Sequence, residues 1–326
     1  MRAWQVGKAG EPREVLSLED VDPPELVPGM LHVRVEAAGV GLPDVLMCRG
    51  SYPLTPPYPF TPGQELVGKV LAVGEGAQAK VGDRVMAVSG FYLGRGSFAQ
   101  ECLAQGDFAL SVPDEMPPEQ AAAFVIPFHT AWAGLSRRGA LQKGETLLVL
   151  GAAGGTGSAA VQLGKAMGAR VIATAGGPAK VKFCRELGAD VVIDYRTQDI
   201  AEGVREATGG RGADVAYDPV GGEAYKAAAS VMAPEGRLLL IGFAEGEWGR
   251  PSAAHMVGGN YSVVGVMPSH FGFDVRARAQ QEMLRFWREG ALQVPVWRVF
   301  EFDQTVEAVE ELASGRAQGK IAVRVS

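Results

Sequence analysis

Thr146-Leu147-Leu148-Val149-Leu150-Gly151-Ala152-Ala153-Gly154-Gly155-Thr156-Gly157 decides the fold. An apolar run suited to a buried strand ends in a cluster of glycines, and a helix-competent segment, 158–167, follows at once. Strand, tight turn and helix in that order form the cradle that receives a dinucleotide pyrophosphate. Gly154 lets the backbone approach phosphate oxygens with no Cβ between, and Gly157 lets the helix pack closely on the strand. The unpaired N–H groups of the first helical turn face the anion. Ala153, Gly154, Gly155, Thr156 and Gly157 are therefore the expected pyrophosphate contacts. The strict Gly-x-Gly-x-x-Gly spacing falls on Ala152, Gly154 and Gly157, so its first glycine is replaced. In isolation such a loop reads equally as a tight turn; its context argues for a nucleotide.

The residues that follow indicate which nucleotide. A second strand, 170–175, ends where an NAD-binding protein places a carboxylate, about 20 residues past the loop. This chain has Ala175-Gly176-Gly177-Pro178-Ala179-Lys180 there. A carboxylate would hold the ribose 2′-hydroxyl and repel a 2′-phosphate. Its absence removes that repulsion, and Lys180 supplies a cation beside Gly176. A third strand, 189–194, delivers Tyr195 to the adenosine edge and Arg196 as a phosphate fork. Each basic residue alone reads equally as surface charge. Together, two cations and no acid favour NADPH over NADH.

Outward from this centre the chain shows three zones. Residues 1–122 alternate in short strands (31–37, 67–73, 83–88, 97–102) separated by Pro and Gly turns, which suits a compact β domain. Residues 123–265 alternate strand and helix, with strands at 146–150, 171–174, 191–193, 215–217, 237–242 and 262–266. That pattern predicts an α/β, doubly wound parallel sheet of the Rossmann type. Residues 266–326 contain two helices (275–289 and 305–314) and two strands (296–302 and 320–325), pieces expected to return to the first domain.

At 326 residues, 47% apolar, the chain is large enough for two cores. A net charge of −6 without a polybasic run argues against nucleic acid and anionic membrane as partners. No apolar stretch approaches a bilayer span, and the N-terminal residues alternate like a strand rather than a signal peptide. Three scattered cysteines make no disulfide framework, so the cytoplasm is the expected location.

The whole chain resembles the medium-chain dehydrogenase/reductase superfamily, in its zinc-free quinone oxidoreductase branch. The resemblance is carried by Gly50-Ser51-Tyr52-Pro53, Pro59-Phe60-Thr61-Pro62-Gly63-Gln64-Glu65 and Val81-Gly82-Asp83-Arg84-Val85. It continues through the glycine loop, Glu186-Leu187-Gly188-Ala189-Asp190, Tyr217-Asp218-Pro219-Val220-Gly221-Gly222 and Gly319-Lys320-Ile321. No single motif is decisive; their order and spacing are. The resemblance implies a GroES-like, mostly-β catalytic domain split around the nucleotide-binding domain, with NADPH as cofactor. It also implies a homodimer, for which the sixth strand, at the sheet edge, offers a pairing face.

Zinc-dependent relatives bind their catalytic metal through a cysteine near position 41 and a histidine in a Gly-His-Glu segment. Here those places read Gly41 and Gln64, neither a plausible zinc ligand, and no four-cysteine lobe is present. No metal is therefore expected. Without a Lewis acid a simple ketone is a poor acceptor, whereas a quinone or enone takes hydride at carbon and needs only hydrogen-bond donors at oxygen.

The resemblance also distributes roles. Tyr52 is brought toward the nicotinamide, where it bounds the pocket or offers its hydroxyl to the substrate; otherwise it is an aromatic packed in a Pro-rich loop. The family's usual asparagine after Gly-Val is Gly41 here, which widens the site, and Asp44 reads as an N-terminal carboxylate of the next helix. Thr130 lies beside the nicotinamide carboxamide, or caps a helix. His129 is a candidate proton donor, against a structural role. Val220, Ile241, Gly242 and Phe243 line the ribose and nicotinamide side, and Val266 and Met267 end the sixth strand beside the carboxamide. The leading reading is an NADPH-dependent quinone or enone reductase. Alternatives are an enoyl-thioester reductase, a reductase of reactive aldehydes or diketones, and a non-catalytic NADPH-binding sensor.

Overall fold

The computed structural model describes every residue from Met1 to Ser326. It divides into two compact units, one of residues 1–126, 272–277 and 294–326, the other of residues 127–271 and 278–293.

In the first unit, β1 (Arg2–Val6) and β2 (Leu16–Asp20) form an antiparallel ribbon. The main sheet contains β3 (Met30–Val40), β4 (Glu65–Val73), β5 (Arg84–Val88), β6 (Glu101–Gln105) and β7 (Leu110–Ser111). Its organising element is β3, which alternates apolar residues toward the core and is long enough to serve several partners. One edge pairs with β4; along the other, residues 30–34 pair with β6 and residues 37–40 with the final strand of the chain. Register shifts at His32/Val33 and Val35/Ala37 bend β3 so that these partners can wrap. The strand expected at 97–102 begins only at Glu101. Residues 98–100 instead exchange backbone hydrogen bonds with β1, Trp4 N–H to Phe98 O and Gln100 N–H to Arg2 O.

The second unit contains β8 (Thr146–Val149), β9 (Arg170–Ala175), β10 (Val191–Asp194), β11 (Ala213–Asp218), β12 (Met232–Leu240) and β13 (Ser262–Gly265). All pair in parallel, in the order β10-β9-β8-β11-β12-β13. β8 and β11 are buried along their whole length, as expected of strands covered by helices on both faces. Winding reverses between β8 and β11, so the loops leaving their C-terminal ends diverge and open a crevice there. The helix after β8 spans Gly155–Ala166, three residues earlier than expected, because the last glycines of the loop form its first turn.

β14 (Val296–Glu301) and β15 (Lys320–Arg324) complete the first unit's sheet, parallel to each other, with β15 on β3. Residues 278–293, expected with the return to the first domain, belong instead to the second unit. Polar contacts hold them there: Gln280 to His129, and Gln293 to Gln162 through paired amide bonds. No helix is long and apolar enough to cross a membrane.

Candidate functional site

The glycine loop has the geometry of an anion cradle. A Cβ on Gly157 would lie 2.3 Å from Gly151 O and 2.8 Å from Ala152 Cα, so only glycine lets the helix start this close to β8. A Cβ on Gly154 would meet nothing nearer than Gly151 O at 3.4 Å, so its open side is free for a ligand. Gly154 caps the helix Gly155–Ala166 with no side-chain hydrogen bond, leaving the first-turn N–H groups to an external acceptor. Ala153 is buried, and Gly155 and Thr156 are half-buried at the helix start. The Thr156 side chain reaches toward the buried Tyr217 hydroxyl, whose ionisation burial strongly opposes. These residues fit a dinucleotide.

The residues expected to choose between dinucleotides converge on one turn. Gly176 leaves room for Tyr195 to lie over the turn: a Cβ there would fall 2.5 Å from the phenol oxygen. Arg196 Nη1 lies 3.1 Å from the Cβ position of Gly177, which has a φ of +88°. Lys180 stands close enough to Arg196 that, after burial, its neighbour's charge is the next cause lowering its pKa. An acid from the next strand also reaches this turn. Asp194, at the end of β10, accepts the Gly177 N–H at 2.9 Å and the Arg196 N–H at 3.1 Å through Oδ1. These donors, Gly177 first, hold its carboxyl below the usual range. Asp194 thus shapes the turn that presents the cations. Lys180→Ala is expected to raise KM for NADPH about tenfold and leave NADH within about twofold. Equal effects on both in steady-state assays would remove Lys180 from the phosphate.

Beyond the crevice the ends of β11, β12 and β13 are knitted together. Asp218 Oδ1 accepts the N–H groups of Val220 (2.9 Å) and Gly221 (2.8 Å), while Oδ2 is buried without a partner. Ile241 and Gly242 donate to Asp218 O, and Val266 N–H donates to Leu240 O. Val220 packs on the glycine loop, its Cγ2 3.0 Å from the Cβ position of Gly151. Phe243 lies 4.9 Å from the ring of Trp248, an exposed aromatic for which the sequence carries no periodic signal. Met267 is 56% exposed. Thr130 lies within the helix Val125–Trp132 and so is not a cap. His129, expected as a proton donor, is buried with Nε2 2.8 Å from Gln280 Oε1. That pairing commits the imidazole to holding residues 278–293 in place, and we assign it no proton transfer.

The first unit builds a second cluster, which sequence reasoning largely missed. Gly41, Asp44, Gln64, Glu65 and Lys320 meet where β3, β4 and β15 lie side by side. Asp44 is fully buried and ties two segments together, accepting the Gly41 N–H at 2.8 Å through Oδ2 and the Gly63 N–H at 3.0 Å through Oδ1. Its predicted role at the helix start is therefore only half of what it does. Lys320 pairs with Glu65, donates to Val40 O at 2.8 Å, and is itself buried. Glu65 also accepts the Ile126 N–H at 3.1 Å. Gly39 leaves room for this carboxylate; a Cβ there would meet Glu65 Cγ at 2.7 Å and Ala122 O at 2.4 Å. The only sequence trace of this arrangement is the pair of motifs Gln64-Glu65 and Gly319-Lys320.

Burial raises the Asp44 carboxyl to about 7, outweighing its two backbone donors and Lys320. Since the folded value lies above the unfolded one, the folded state binds the extra proton between them. The Asp44 contribution to stability is then greatest below the unfolded value of 3.8, is lost as pH rises toward about 7, and is level above that. Asp44→Asn is expected to melt lower at every pH, for want of one acceptor, but with a flatter profile from pH about 4 to 7. An unchanged slope in thermal melts would show that another group titrates.

Tyr52 is half-buried in a loop fixed by Thr55, whose N–H and hydroxyl both donate to Tyr52 O. Its ring lies 6.4 Å from that of Phe91, and burial, then Asp44, raise its pKa against the opposing effect of Gln64. No group of three or more His, Cys, Asp or Glu side chains is arranged to hold a metal ion.

The fold and site define a two-unit oxidoreductase of the alcohol dehydrogenase type. Residues 27–114 match the family "Alcohol dehydrogenase GroES-like domain" and residues 155–286 match "Zinc-binding dehydrogenase". The chain is 31% identical to quinone oxidoreductase-like protein 2 of Bos taurus, over 98% of this chain and 92% of the bovine one. It superposes on Escherichia coli quinone oxidoreductase complexed with NADPH with a TM-score of 0.91, at 27% identity and 100% coverage of both chains. A mycobacterial protein solved with NADPH gives a TM-score of 0.91 at 30% identity, again over both whole chains. The chain belongs to the medium-chain dehydrogenase/reductase superfamily, in its quinone oxidoreductase branch.

Proposed function

We propose that this protein is an NADPH-dependent reductase that delivers hydride to a conjugated carbonyl, a quinone or an enone, without zinc. NADPH is supported by the cradle and by the Lys180–Arg196 cations on the Gly176–Gly177 turn. When bound, it supplies the hydride. The observation that carries the zinc-free reading is the content of the first unit at positions 41 and 64. Asp44 spends both carboxylate oxygens on the backbone of Gly41 and Gly63, and Gln64 presents an amide beside Tyr52. The Gln64 amide and the Tyr52 hydroxyl can donate hydrogen bonds to a carbonyl oxygen but cannot polarise it as a metal does. An acceptor that is already electron-poor at carbon suits them.

In this reading the residues 153–157 hold the pyrophosphate, and Lys180, Tyr195 and Arg196 hold the 2′-phosphate end. Thr130, Val220, Ile241, Gly242, Phe243, Val266 and Met267 hold the ribose and nicotinamide half. Tyr52 donates its phenolic proton to the oxygen that gains charge. A second copy pairs along β13, the outer strand of its sheet, to make a homodimer that works in the cytoplasm. Light scattering that returns a monomer at micromolar concentration would remove the pairing.

The decisive assay follows loss of reduced-nicotinamide absorbance with a benzoquinone, an enone or an enoyl-CoA as acceptor, each with and without a chelator. Turnover with the first two, insensitive to chelation, is expected. Turnover with enoyl-CoA alone would move the assignment to a thioester reductase. NADPH binding without turnover on any acceptor would leave a sensor.

A further inference from the structure

The first unit carries a face without charge. No acidic, basic or histidine residue lies between Arg49 and Glu65, or between Arg84 and Arg95, in a chain of which 21% is charged. The two stretches are held side by side. Thr61 N–H donates to Gly94 O at 3.1 Å and Gly96 N–H to Thr61 O at 3.0 Å, while the rings of Tyr52 and Phe91 lie 6.4 Å apart. Gly94, at a φ of +75°, closes the turn 91–93 onto Phe60, its Cβ position 3.3 Å from Phe60 Cβ. Tyr58 packs on Phe60 at 5.4 Å and folds back over the loop, its hydroxyl 3.0 Å from the Cβ position of Gly50. Thr55 fixes the turn that carries Leu54 by donating twice to Tyr52 O, and the Tyr92 hydroxyl is anchored on Met30 Sδ at 3.9 Å. What these contacts hold at the surface is apolar: Leu54 is 54% exposed, Leu93 47%, Tyr92 41% and Tyr58 40%. One exposed leucine is ordinary; four large apolar side chains on a charge-free face, flanking the half-buried Tyr52, are not.

We propose that this face receives the hydrocarbon tail of the acceptor, so that the substrate is a quinone bearing an alkyl or isoprenoid chain, an inference that rests on the quinone-reductase reading and on Tyr52 meeting the reacting carbonyl. The chain leaves the quinone ring at Tyr52 and lies between Leu54 and Tyr58 on one side and Tyr92 and Leu93 on the other. The areas fit. Four side chains exposed to this degree offer on the order of 300 Å², and a methylene presents about 30 Å², so a chain of about ten carbons covers the face. A second copy of the protein fits less well, since a stable interface takes about 800 Å² from each partner. The two tyrosine rings, anchored at their far ends, lose little freedom when a chain settles on them. A tail bound by desolvation is held equally before and during hydride transfer, so its effect falls on KM and not on kcat.

The test compares benzoquinones with no chain, a pentyl chain and a decyl chain at saturating NADPH. From no chain to decyl, KM is expected to fall about 100-fold with kcat within about twofold, on a logarithmic scale a third of what complete burial of ten methylenes gives. In the double variant Leu54→Ser with Leu93→Ser, the ratio of the two KM values is expected to shrink to about tenfold; Leu93→Ser alone carries the comparison should the double variant misfold. A second readout needs no turnover. The apolar fluorophore N-phenyl-1-naphthylamine is expected to bind the wild type, to be displaced by decylhydroquinone but not by hydroquinone, and to bind the double variant about tenfold more weakly. A KM independent of chain length, or the same ratio in wild type and variant, would overturn the inference while leaving the reductase reading intact. A dimer that the substitutions dissociate would give the face to a second copy and overturn it too. Absence of turnover with every quinone would instead sink the reductase reading, and the displacement would still decide whether the face takes a tail.

Discussion

Tyr52→Phe is expected to lower kcat with an enone by about 100-fold or more while KM for NADPH stays within about twofold. The ring keeps its packing against Phe91 and its loop keeps the Thr55 hydrogen bonds, so only the hydroxyl is removed. An enolate oxygen is a strong base and depends on a proton placed at the moment of hydride arrival. A hydroquinone anion is a stable aromatic product that can take its proton from water later, and the loss with a quinone is expected to be smaller. The ratio of the two losses is therefore diagnostic. Equal, small losses with both acceptors in stopped-flow traces would reduce Tyr52 to a wall of the pocket.

Gly157→Val is expected to weaken NADPH binding on the order of 100-fold and to lower stability by about 1–3 kcal/mol. The added Cβ meets Gly151 O at 2.3 Å and Ala152 Cα at 2.8 Å, backbone atoms that no rotamer change can move aside. The helix must retreat from β8, and its first-turn N–H groups retreat with it. Gly154→Ala supplies the contrast. Its Cβ is in contact only with Gly151 O at 3.4 Å, so the empty protein is expected to melt as wild type while NADPH binding still falls. Calorimetric titration and thermal melts separate the two effects. An unweakened Gly154→Ala would place the pyrophosphate elsewhere.

Much of the second unit is legible from local pattern because its signals are short-range. Apolar runs of three to six residues in alternation with helical segments predict β8 to β13, five of them within two residues of their observed bounds and β12 starting five residues earlier than read. The turn chosen for the 2′-phosphate is legible for the same reason: Gly176, Gly177 and Lys180 are neighbours in the chain. What local pattern concealed there is Asp194, read only as the end of a strand, whose carboxylate caps the turn across 17 residues. The shift of the strand at 97–102 has a similar origin. Its alternation fits a sheet, but residues 98–100 are claimed by β1, nearly a hundred positions earlier.

The cluster in the first unit lies beyond such reading. Asp44, Glu65 and Lys320 are spread over most of the chain, and a buried charge looks in sequence like any surface charge. Gln64 reads only as the loss of a metal ligand; that it is buried and its segment pinned depends on Ser89, Ser97 and Asp44 around it. His129 shows the reverse, a residue with catalytic chemistry whose partner, 151 positions away, assigns it to packing.

By itself the sequence determined the class of the protein: the parallel sheet, the nucleotide cradle and the preference for a phosphorylated dinucleotide. These follow from periodicity, glycine placement and charge within single loops. Tertiary structure alone decided which polar side chains are buried and what each one pairs with. Burial and hydrogen-bond partnership are set by strands brought together from distant parts of the chain, and no local pattern encodes that pairing.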